Sequence, residues 1–131
     1  MQDKSQTLTG KTILIAEDNL INQKVISEFL KLAGAQTVVV SNGIEAIARL
    51  AEQHFDLILM DIQMPKMDGF EATQKIRAQF EFKSIPIIGL SAGVSPKQTE
   101  ACVAAGIDDF IPKPIDPDLL VSRVIYHLNK Q

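Results

Sequence analysis

Five polar side chains of this sequence have the types and positions needed for chemistry at one shared site. Glu17 and Asp18 directly follow a short apolar segment, and Asp61, Ser91 and Lys113 stand just after three later apolar segments. Carboxylates brought close together repel one another, so such a group either takes up protons or binds a cation. Oxygen ligands alone suit a hard ion, Mg²⁺ first, which keeps several of its water ligands.

A lysine and a hydroxyl group complete this set. Lys113 offers a point charge that can pair with a carboxylate or a phosphoryl oxygen, and Ser91 offers a hydrogen bond to such an oxygen. A carboxylate, a divalent cation, a lysine and a hydroxyl group are together the parts needed to transfer a phosphoryl group to an aspartate. Asp61 would then attack in line, while the cation and the lysine neutralise the developing charge.

Short apolar segments alternate with longer segments of helical periodicity, five times over. We predict strands at 12–16, 37–40, 55–60, 85–90 and 107–111, each followed by a helix. The first strand is apolar on both faces, which is typical of a parallel strand covered by helices on each side. The pattern predicts a doubly wound α/β fold of the flavodoxin-like (βα)5 type, with a parallel sheet in the order 2-1-3-4-5.

This fold would gather the polar side chains at one edge. Ligands of open α/β sheets bind outside the carboxyl ends of the strands, where the strand order reverses, and all five residues follow strand ends. Asp56 starts the third strand and is expected in solvent at the opposite edge. His54 and His127 lack the spacing of metal ligands, so both are expected at the surface.

Composition limits the classes of function. The 131 residues fit one domain, and a net charge of -3 provides no basic surface for nucleic acid. No apolar segment approaches the ~20 residues of a membrane span. The single cysteine, Cys102, excludes an internal disulfide and suits a cytoplasmic location. We expect a flexible tail or linker remnant at 1–10 and one domain at 11–131 that contacts neither nucleic acid nor membrane.

Four segments together resemble the receiver domains of bacterial two-component response regulators, over about residues 11–129. They are residues 13–19 (ILIAEDN), 57–69 (LILMDIQMPKMDG), 89–93 (GLSAG) and 108–116 (DDFIPKPID). The resemblance implies that Asp61 accepts the phosphoryl group and that Lys113 binds it, with the bond from Lys113 to Pro114 in the cis form. The implied ligands of Mg²⁺ are Glu17, Asp18, Asp61 and the backbone carbonyl of Gln63.

The resemblance also implies a switch. Ser91 would be the switch hydroxyl and Phe110 the switch aromatic, which turns inward when Ser91 moves towards the phosphoryl group. A position for Phe110 in the core is compatible with that role. Gly93 stands where many receivers carry a polar or bulky side chain, and we expect Gln63 to influence the lifetime of the phosphoryl group more than residue 93 does.

The segments EDNLINQ and MDIQMPKMDG look most like receivers attached to hybrid sensor histidine kinases. A stand-alone response regulator is the alternative. Either way the implied partner is a phosphohistidine on a kinase or on a histidine phosphotransfer domain, docked near Leu20 and Ile21. Such a domain only assists its own phosphorylation and dephosphorylation, whereas the parent chain could be a sensor histidine kinase.

Three other functions fit parts of the pattern. A flavin-binding module needs a phosphate loop after the first strand, where Glu17 and Asp18 would repel a phosphate. A hydrolase that uses Asp61 as its nucleophile usually has a second aspartate two residues on, where this chain has Gln63. A receiver-like interaction module that takes no phosphoryl group would not need the acidic pair, Asp61 and Lys113.

Overall fold

The computed structural model describes residues 7–93 and 95–130, and the architecture is an open parallel sheet between two layers of helices. The strands are β1 (Thr12–Ala16), β2 (Gln36–Val40), β3 (Leu57–Asp61), β4 (Ile87–Ser91) and β5 (Asp109–Pro112). The helices are α1 (Leu20–Leu32), α2 (Gly43–Glu52), α3 (Gly69–Arg77), α4 (Pro96–Ala105) and α5 (Pro117–Asn129). A 3₁₀ turn at Phe80–Phe82 precedes β4.

The strand order is β2-β1-β3-β4-β5, and every neighbouring pair is parallel, as predicted from the sequence. The order reverses between β1 and β3, because β2 lies on the outer side of β1. In the register of the sheet, Ala16 pairs with Met60 and Asp61 pairs with Leu90. The carboxyl ends of β1, β3 and β4 therefore lie side by side.

Two apolar cores cover the two faces of the sheet. One packs the face that carries Ile15, Leu59 and Leu90 against α1 and α5. The other packs the face that carries Leu14 and Met60 against α2, α3 and α4. Burial on both faces explains why the strands read as continuous apolar segments rather than as alternating ones.

Each helix begins at a side chain that accepts a hydrogen bond from the first turn, which satisfies a backbone N–H that the helix itself leaves free. Ser95 forms a reciprocal capping box with Gln98, and Pro96 takes the first helical position of α4. The other capping residues are Asn19, Asn42, Asp68 and Asp116.

The predicted tail at 1–10 needs a correction in its described part. Leu8 is only 1% exposed, belongs to the core under α1 and α5, and donates its backbone N–H to the carbonyl of Ala33 at 2.7 Å. A buried apolar side chain favours packing over a solvated tail, so the packed chain begins before residue 11. Residues 1–6 of the predicted tail, and residue 131 of the predicted domain, lie outside the described residues.

His127 is a second correction, because its residue is 7% exposed and not at the surface. Its Nε2 lies 2.9 Å from Oδ2 of Asp109, which also lies 3.2 Å from Nη1 of Arg123. The ring of Tyr126 contacts the His127 ring edge-on, with 5.0 Å between centroids. Asp56 is likewise not simply solvated, since its Oδ2 accepts the backbone N–H of Thr12 at 2.8 Å.

Candidate functional site

Three strand ends bring two carboxylates and one ammonium group into direct contact. Nζ of Lys113, just past β5, lies 2.9 Å from Oδ2 of Asp61 at the end of β3. The same Nζ lies 2.9 Å from Oε1 of Glu17, just past β1. Glu17 is 0% exposed and Asp61 is 2% exposed, so water is largely excluded from both acids.

Burial next to a second acid makes Asp61 hard to ionise. Desolvation, together with the negative charge of Glu17, raises the pKa of Asp61 to about 7, against the opposing hydrogen bond from Lys113. Burial also acts to raise the pKa of Glu17, but the ammonium group of Lys113 and the hydrogen bond from the N–H of Asn19 outweigh it and leave that pKa lowered. Burial alone would lower the pKa of Lys113, yet its two acidic partners raise it.

Backbone contacts fix the orientation of both buried acids. The N–H of Asn19 donates to Oε2 of Glu17 at 3.0 Å, and the side chain of Gln23 donates to the Glu17 carbonyl at 2.5 Å. The N–H of Gln63 donates to Oδ1 of Asp61 at 3.1 Å. Sequence reasoning did not assign these supporting roles to Asn19 and Gln23, because they follow from the way α1 starts against β1.

The residues present fit a hard divalent cation. Glu17, Asp18 and the phosphoacceptor candidate Asp61 each offer a carboxylate oxygen, and these oxygens lie within 4.8 Å of one another. Oε1 of Glu17 is buried and, although close to Lys113, makes no well-directed hydrogen bond. An all-oxygen set with one under-used buried oxygen suits Mg²⁺. The assignment of the Gln63 carbonyl as a further ligand stays a prediction.

The loop after β3 is held by close contacts at two glycines. A Cβ on Gly69 would lie 2.3 Å from the carbonyl oxygen of Asp61, and the Gly69 N–H donates to the carbonyl of Ile62 at 3.0 Å. Gly43 at the start of α2 donates its N–H to the carbonyl of Met67 at 2.9 Å. In the same loop, three residues before Gly69, Lys66 has a left-handed backbone, with φ of 65°. The sequence gives no sign of the contact between Gly69 and Asp61, because it depends on how the loop folds back onto β3.

Ser91 and Phe110 lie on neighbouring strands beside this group. Ser91 ends β4, one residue past the partner of Asp61, and its carbonyl accepts the N–H of Lys113 at 2.8 Å. The peptide bond from Lys113 to Pro114 is cis, as the resemblance implied. Phe110 is partly buried, packs against the core under α3 and α4, and pairs with Gly89 in the sheet.

A cleft between the loop after β3 and helix α4 adjoins the site at Asp18 and Gln63. Its volume is about 700 Å³, and Asp18 and Gln63 line it together with Met64, Phe70 and Cys102. Leu20 and Ile21, at the start of α1 next to Asp18, are 76% and 74% exposed. Within residues 7–93 and 95–130, no helix is long and apolar enough to cross a bilayer.

Comparison with known sequences gives a consistent result. A sequence profile of the family described as "Response regulator receiver domain" matches residues 13–125. Hybrid signal transduction histidine kinase B of Dictyostelium discoideum is 39% identical over 89% of this chain, which covers 7% of that protein. The CAI-1 autoinducer sensor kinase/phosphatase CqsS of Vibrio cholerae is 38% identical over 87% of this chain, which covers 17% of it. The chain thus spans less than a fifth of these relatives.

Solved structures agree with the fold. The receiver domain of sensor histidine kinase PA1611 from Pseudomonas aeruginosa has a TM-score of 0.84 and 36% identity, with 94% of this chain and 100% of that one covered. It holds a magnesium ion coordinated in its active site cleft. The signal receiver domain of a signal transduction histidine kinase from Syntrophus aciditrophicus has a TM-score of 0.86 and 34% identity, with 92% of each chain covered.

Proposed function

This chain belongs to the response regulator receiver domain family and is homologous to the receivers of hybrid histidine kinases, and we propose that Asp61 is its phosphoacceptor. The single observation that supports this choice is the contact of one partly buried ammonium group with two buried carboxylates at the switch point of the sheet. Of the two acids, Asp61 is the one with the raised pKa, and it directly precedes Ile62 and Gln63, which line the cleft. Perturbed titration in a cleft is typical of a functional carboxylate.

The proposed reaction is an in-line transfer. A carboxylate oxygen of Asp61 forms a bond to phosphorus while the bond from phosphorus to the donor's imidazole nitrogen breaks, and the imidazole keeps that electron pair. Lys113 is in place to pair with the phosphoryl oxygens as their charge moves towards Asp61. Because Glu17 shares the ammonium group of Lys113, a cation near Glu17 would offset its charge when Lys113 also pairs with the phosphoryl oxygens.

Glu17, Asp18, Asp61 and the carbonyl of Gln63 are the residues we assign to Mg²⁺. When bound, the ion would favour the ionised form of Asp61 and offset charge on the phosphoryl oxygens. Ser91 and Phe110 are the residues we assign to the switch, because Ser91 lies beside Asp61 in the sheet and Phe110 follows on the next strand. A phosphoryl group adds about two negative charges, enough to bias such a two-state element.

A phosphohistidine on a kinase or on a histidine phosphotransfer domain is the donor we propose, in the cytoplasm. Its docking surface would include Leu20 and Ile21, two exposed apolar residues beside the acidic pair. Exposed apolar residues next to a functional site are common in interfaces. That the whole protein is a hybrid sensor histidine kinase rests on the names of its relatives and is likewise a proposal.

Phosphorylation by a small donor tests the central claim. Wild-type protein is incubated with acetyl phosphate and Mg²⁺, and intact mass spectrometry is expected to show one added phosphoryl group, localised to Asp61 by peptide mapping. Asp61→Asn and chelation of Mg²⁺ are each expected to abolish it. Lys113→Arg is expected to keep phosphorylation and to weaken the downstream response. An unmodified wild-type chain with every small donor would instead indicate a receiver-like interaction module.

Docking is tested separately with a phosphotransfer protein that phosphorylates the wild-type chain. Leu20→Ala with Ile21→Ala is expected to slow transfer from that protein, while phosphorylation by acetyl phosphate stays unchanged. The matched control is Phe80→Ala, which removes an 85% exposed apolar side chain before β4, at the opposite edge of the sheet. Equal slowing by both variants would refute the docking surface.

A further inference from the structure

Gly89 lies in the middle of β4, where a glycine needs an explanation. Its neighbours Ile87, Ile88 and Leu90 are large aliphatic residues, and the whole segment is buried. Glycine weakens the interior of a strand, and it often marks a place where another group approaches the backbone closely. The backbone of Gly89 does not have a positive φ, so the reason lies in its surroundings.

The group that approaches Gly89 is the ring of Phe110. A Cβ built on Gly89 would lie 3.0 Å from Cδ1 and 3.1 Å from Cε1 of Phe110, and 3.3 Å from Cδ1 of Ile62. Gly89 and Phe110 are also direct partners in the register of the sheet. The ring therefore occupies space that a side chain at position 89 would need; we call this space the Gly89 notch.

The Gly89 notch lies beside the proposed phosphorylation site, on the face of the sheet that packs against α2, α3 and α4. Ile62, on one side, directly follows Asp61, and Ser91 stands two residues past Gly89 on the same face of the strand. On the other side, the N–H of Phe110 donates to Oδ1 of Asp109 at 2.8 Å. The second oxygen of Asp109 contacts His127 of α5 at 2.9 Å. The backbone of Phe110 is thus connected to α5 through Asp109, while its ring lies against Gly89 on the face of the sheet that also carries Ile62.

We propose that Gly89 is a positioning residue: the space that it leaves lets the Phe110 ring lie over the sheet before Asp61 is phosphorylated. This inference rests on the proposed role of Phe110 as the switch aromatic. The inward ring does not have to wait for Ser91 to move. Phosphorylation of Asp61 then moves the Phe110 ring only a little. The signalling conformation is already partly populated in the unphosphorylated protein. Because coupling between two sites is reciprocal, the same bias favours phosphorylation.

The wild-type protein provides a first test that needs no substitution. Labelling with 3-fluorophenylalanine gives one ¹⁹F signal for each of the six phenylalanines, and Phe110→Leu assigns the Phe110 signal. We expect its solvent isotope shift between H₂O and D₂O to be small, as for a ring that is already inward. Saturating beryllofluoride with Mg²⁺ is expected to move it little. A large move towards a buried environment on adding beryllofluoride would overturn the proposal.

Gly89→Ala provides the second test. Its methyl group would meet the ring at a distance tighter than nine in ten real contacts of this kind, so the ring must give way by a few tenths of an ångström. We expect the Phe110 signal of this variant to become more solvent-exposed, and beryllofluoride to move it further than in wild type. The rate of phosphorylation by acetyl phosphate is expected to fall about fivefold or more, the lower end of typical coupling between sites.

A double-mutant comparison separates the ring from any general effect of the added methyl group. In a Phe110→Ala background no ring occupies the Gly89 notch, so Gly89→Ala is expected to leave the phosphorylation rate within about twofold. An equal effect of Gly89→Ala in both backgrounds would count against the positioning role. Loss of the wild-type phosphoryl adduct would instead refute the proposed function, and the ¹⁹F measurements without phosphodonor remain valid in that case.

Discussion

The ammonium group of Lys113 lies 2.9 Å from Oδ2 of Asp61, although the two residues are 52 positions apart in the sequence. The contact joins the ends of β3 and β5, which are separated in the sheet by β4. Since Glu17 shares the same ammonium group, the site holds one more negative charge than positive charge when both acids are ionised. That excess governs the proton and cation binding of the domain.

Asp61→Asn is expected to stabilise the metal-free protein at neutral pH by about 1–3 kcal/mol, because it removes a buried charge that its surroundings disfavour. The pKa of Asp61 is raised to about 7, against roughly 3.9 in the unfolded chain. Between these two pKa values the folded protein binds more protons than the unfolded chain does. The stability that protonated Asp61 contributes to the wild type is therefore lost as pH rises from about 4 to about 7.

Urea denaturation in EDTA at pH 4, 6 and 8 measures this effect as the difference in free energy of unfolding between variant and wild type. The advantage of Asp61→Asn is expected to be small at pH 4 and to grow with pH. A difference that shrinks as pH rises would mean that Lys113 outweighs burial at Asp61.

Mg²⁺ affinity is expected to weaken as pH falls below about 7, by up to roughly tenfold per pH unit, because a proton must leave Asp61 before its carboxylate can bind the ion. Titration calorimetry in buffers of different ionisation enthalpy would also reveal the released proton. Asp18→Asn is expected to weaken binding at every pH while keeping the pH dependence. An affinity that is flat from pH 5.5 to 8 would contradict the raised pKa.

Gly69→Ala is expected to destabilise the domain by about 2 kcal/mol or more and to slow phosphorylation, because the new methyl group overlaps the Asp61 carbonyl. Gly93→Ala is the control. The added Cβ would meet no atom within 4 Å, but the backbone at Gly93 has a positive φ of 67°, so only backbone strain of about 1 kcal/mol is expected. Denaturation midpoints and acetyl phosphate kinetics check both. Equal losses in the two variants would mean that the contact with Asp61 is unimportant.

Arg77→Lys is expected to cost about 1–3 kcal/mol of stability, because lysine cannot reproduce the fork of guanidinium contacts. Arg77 donates to the carbonyl of Gly106 at 2.9 and 3.1 Å and to that of Phe82 at 2.6 Å, and it pairs with Asp108 at 3.0 Å. Arg49→Lys, in an exposed pair with Glu52, is expected to change stability by under about 0.5 kcal/mol. Thermal unfolding distinguishes the two cases, and similar shifts would argue against the Arg77 contacts.

The lifetime of the phosphoryl group is expected to depend more on Gln63 than on residue 93. Gln63 lines the cleft beside the site, whereas Gly93 is exposed and a Cβ built on it would meet no atom within 4 Å outside its chain neighbours. Dephosphorylation is measured after removal of acetyl phosphate in Gln63→Ala and in Gly93→Asn, since asparagine tolerates the positive φ best among the polar residues. A larger change in the Gly93→Asn variant would refute this expectation.

The architecture and the composition of the site could be predicted because each reactive residue ends an apolar segment. Parallel strands buried on both faces leave few alternatives for the sheet, and its switch point then gathers whatever side chains follow the strands. Glu17, Asp61 and Lys113 met that condition, and the structure places them in contact. Ser91 was likewise predicted to lie at this edge, and it directly follows Leu90, the partner of Asp61 in the register of β3 and β4.

Features that depend on a distant partner could not be predicted in this way. The periodicity of α5 does not indicate that His127 contacts Asp109, so the burial of His127 could not be predicted. A glycine fits at position 89 because the ring of Phe110, 21 positions later, occupies the space of a side chain there. A glycine fits at position 69 because the carbonyl of Asp61 does the same. A glycine has no side chain to reveal its neighbours, and only the three-dimensional contact shows why it is there.

The buried side chain of Leu8 has a practical consequence for making the domain in the laboratory. A recombinant fragment that starts at Lys11, two residues before the first family motif, would leave the apolar patch next to Ala33 open to water. Burying a leucine contributes about 1.5–3 kcal/mol, and a domain of this size has only about 5–15 kcal/mol in total. Such a truncated protein would therefore be prone to aggregate during purification, and including the residues around Leu8 is the simplest remedy.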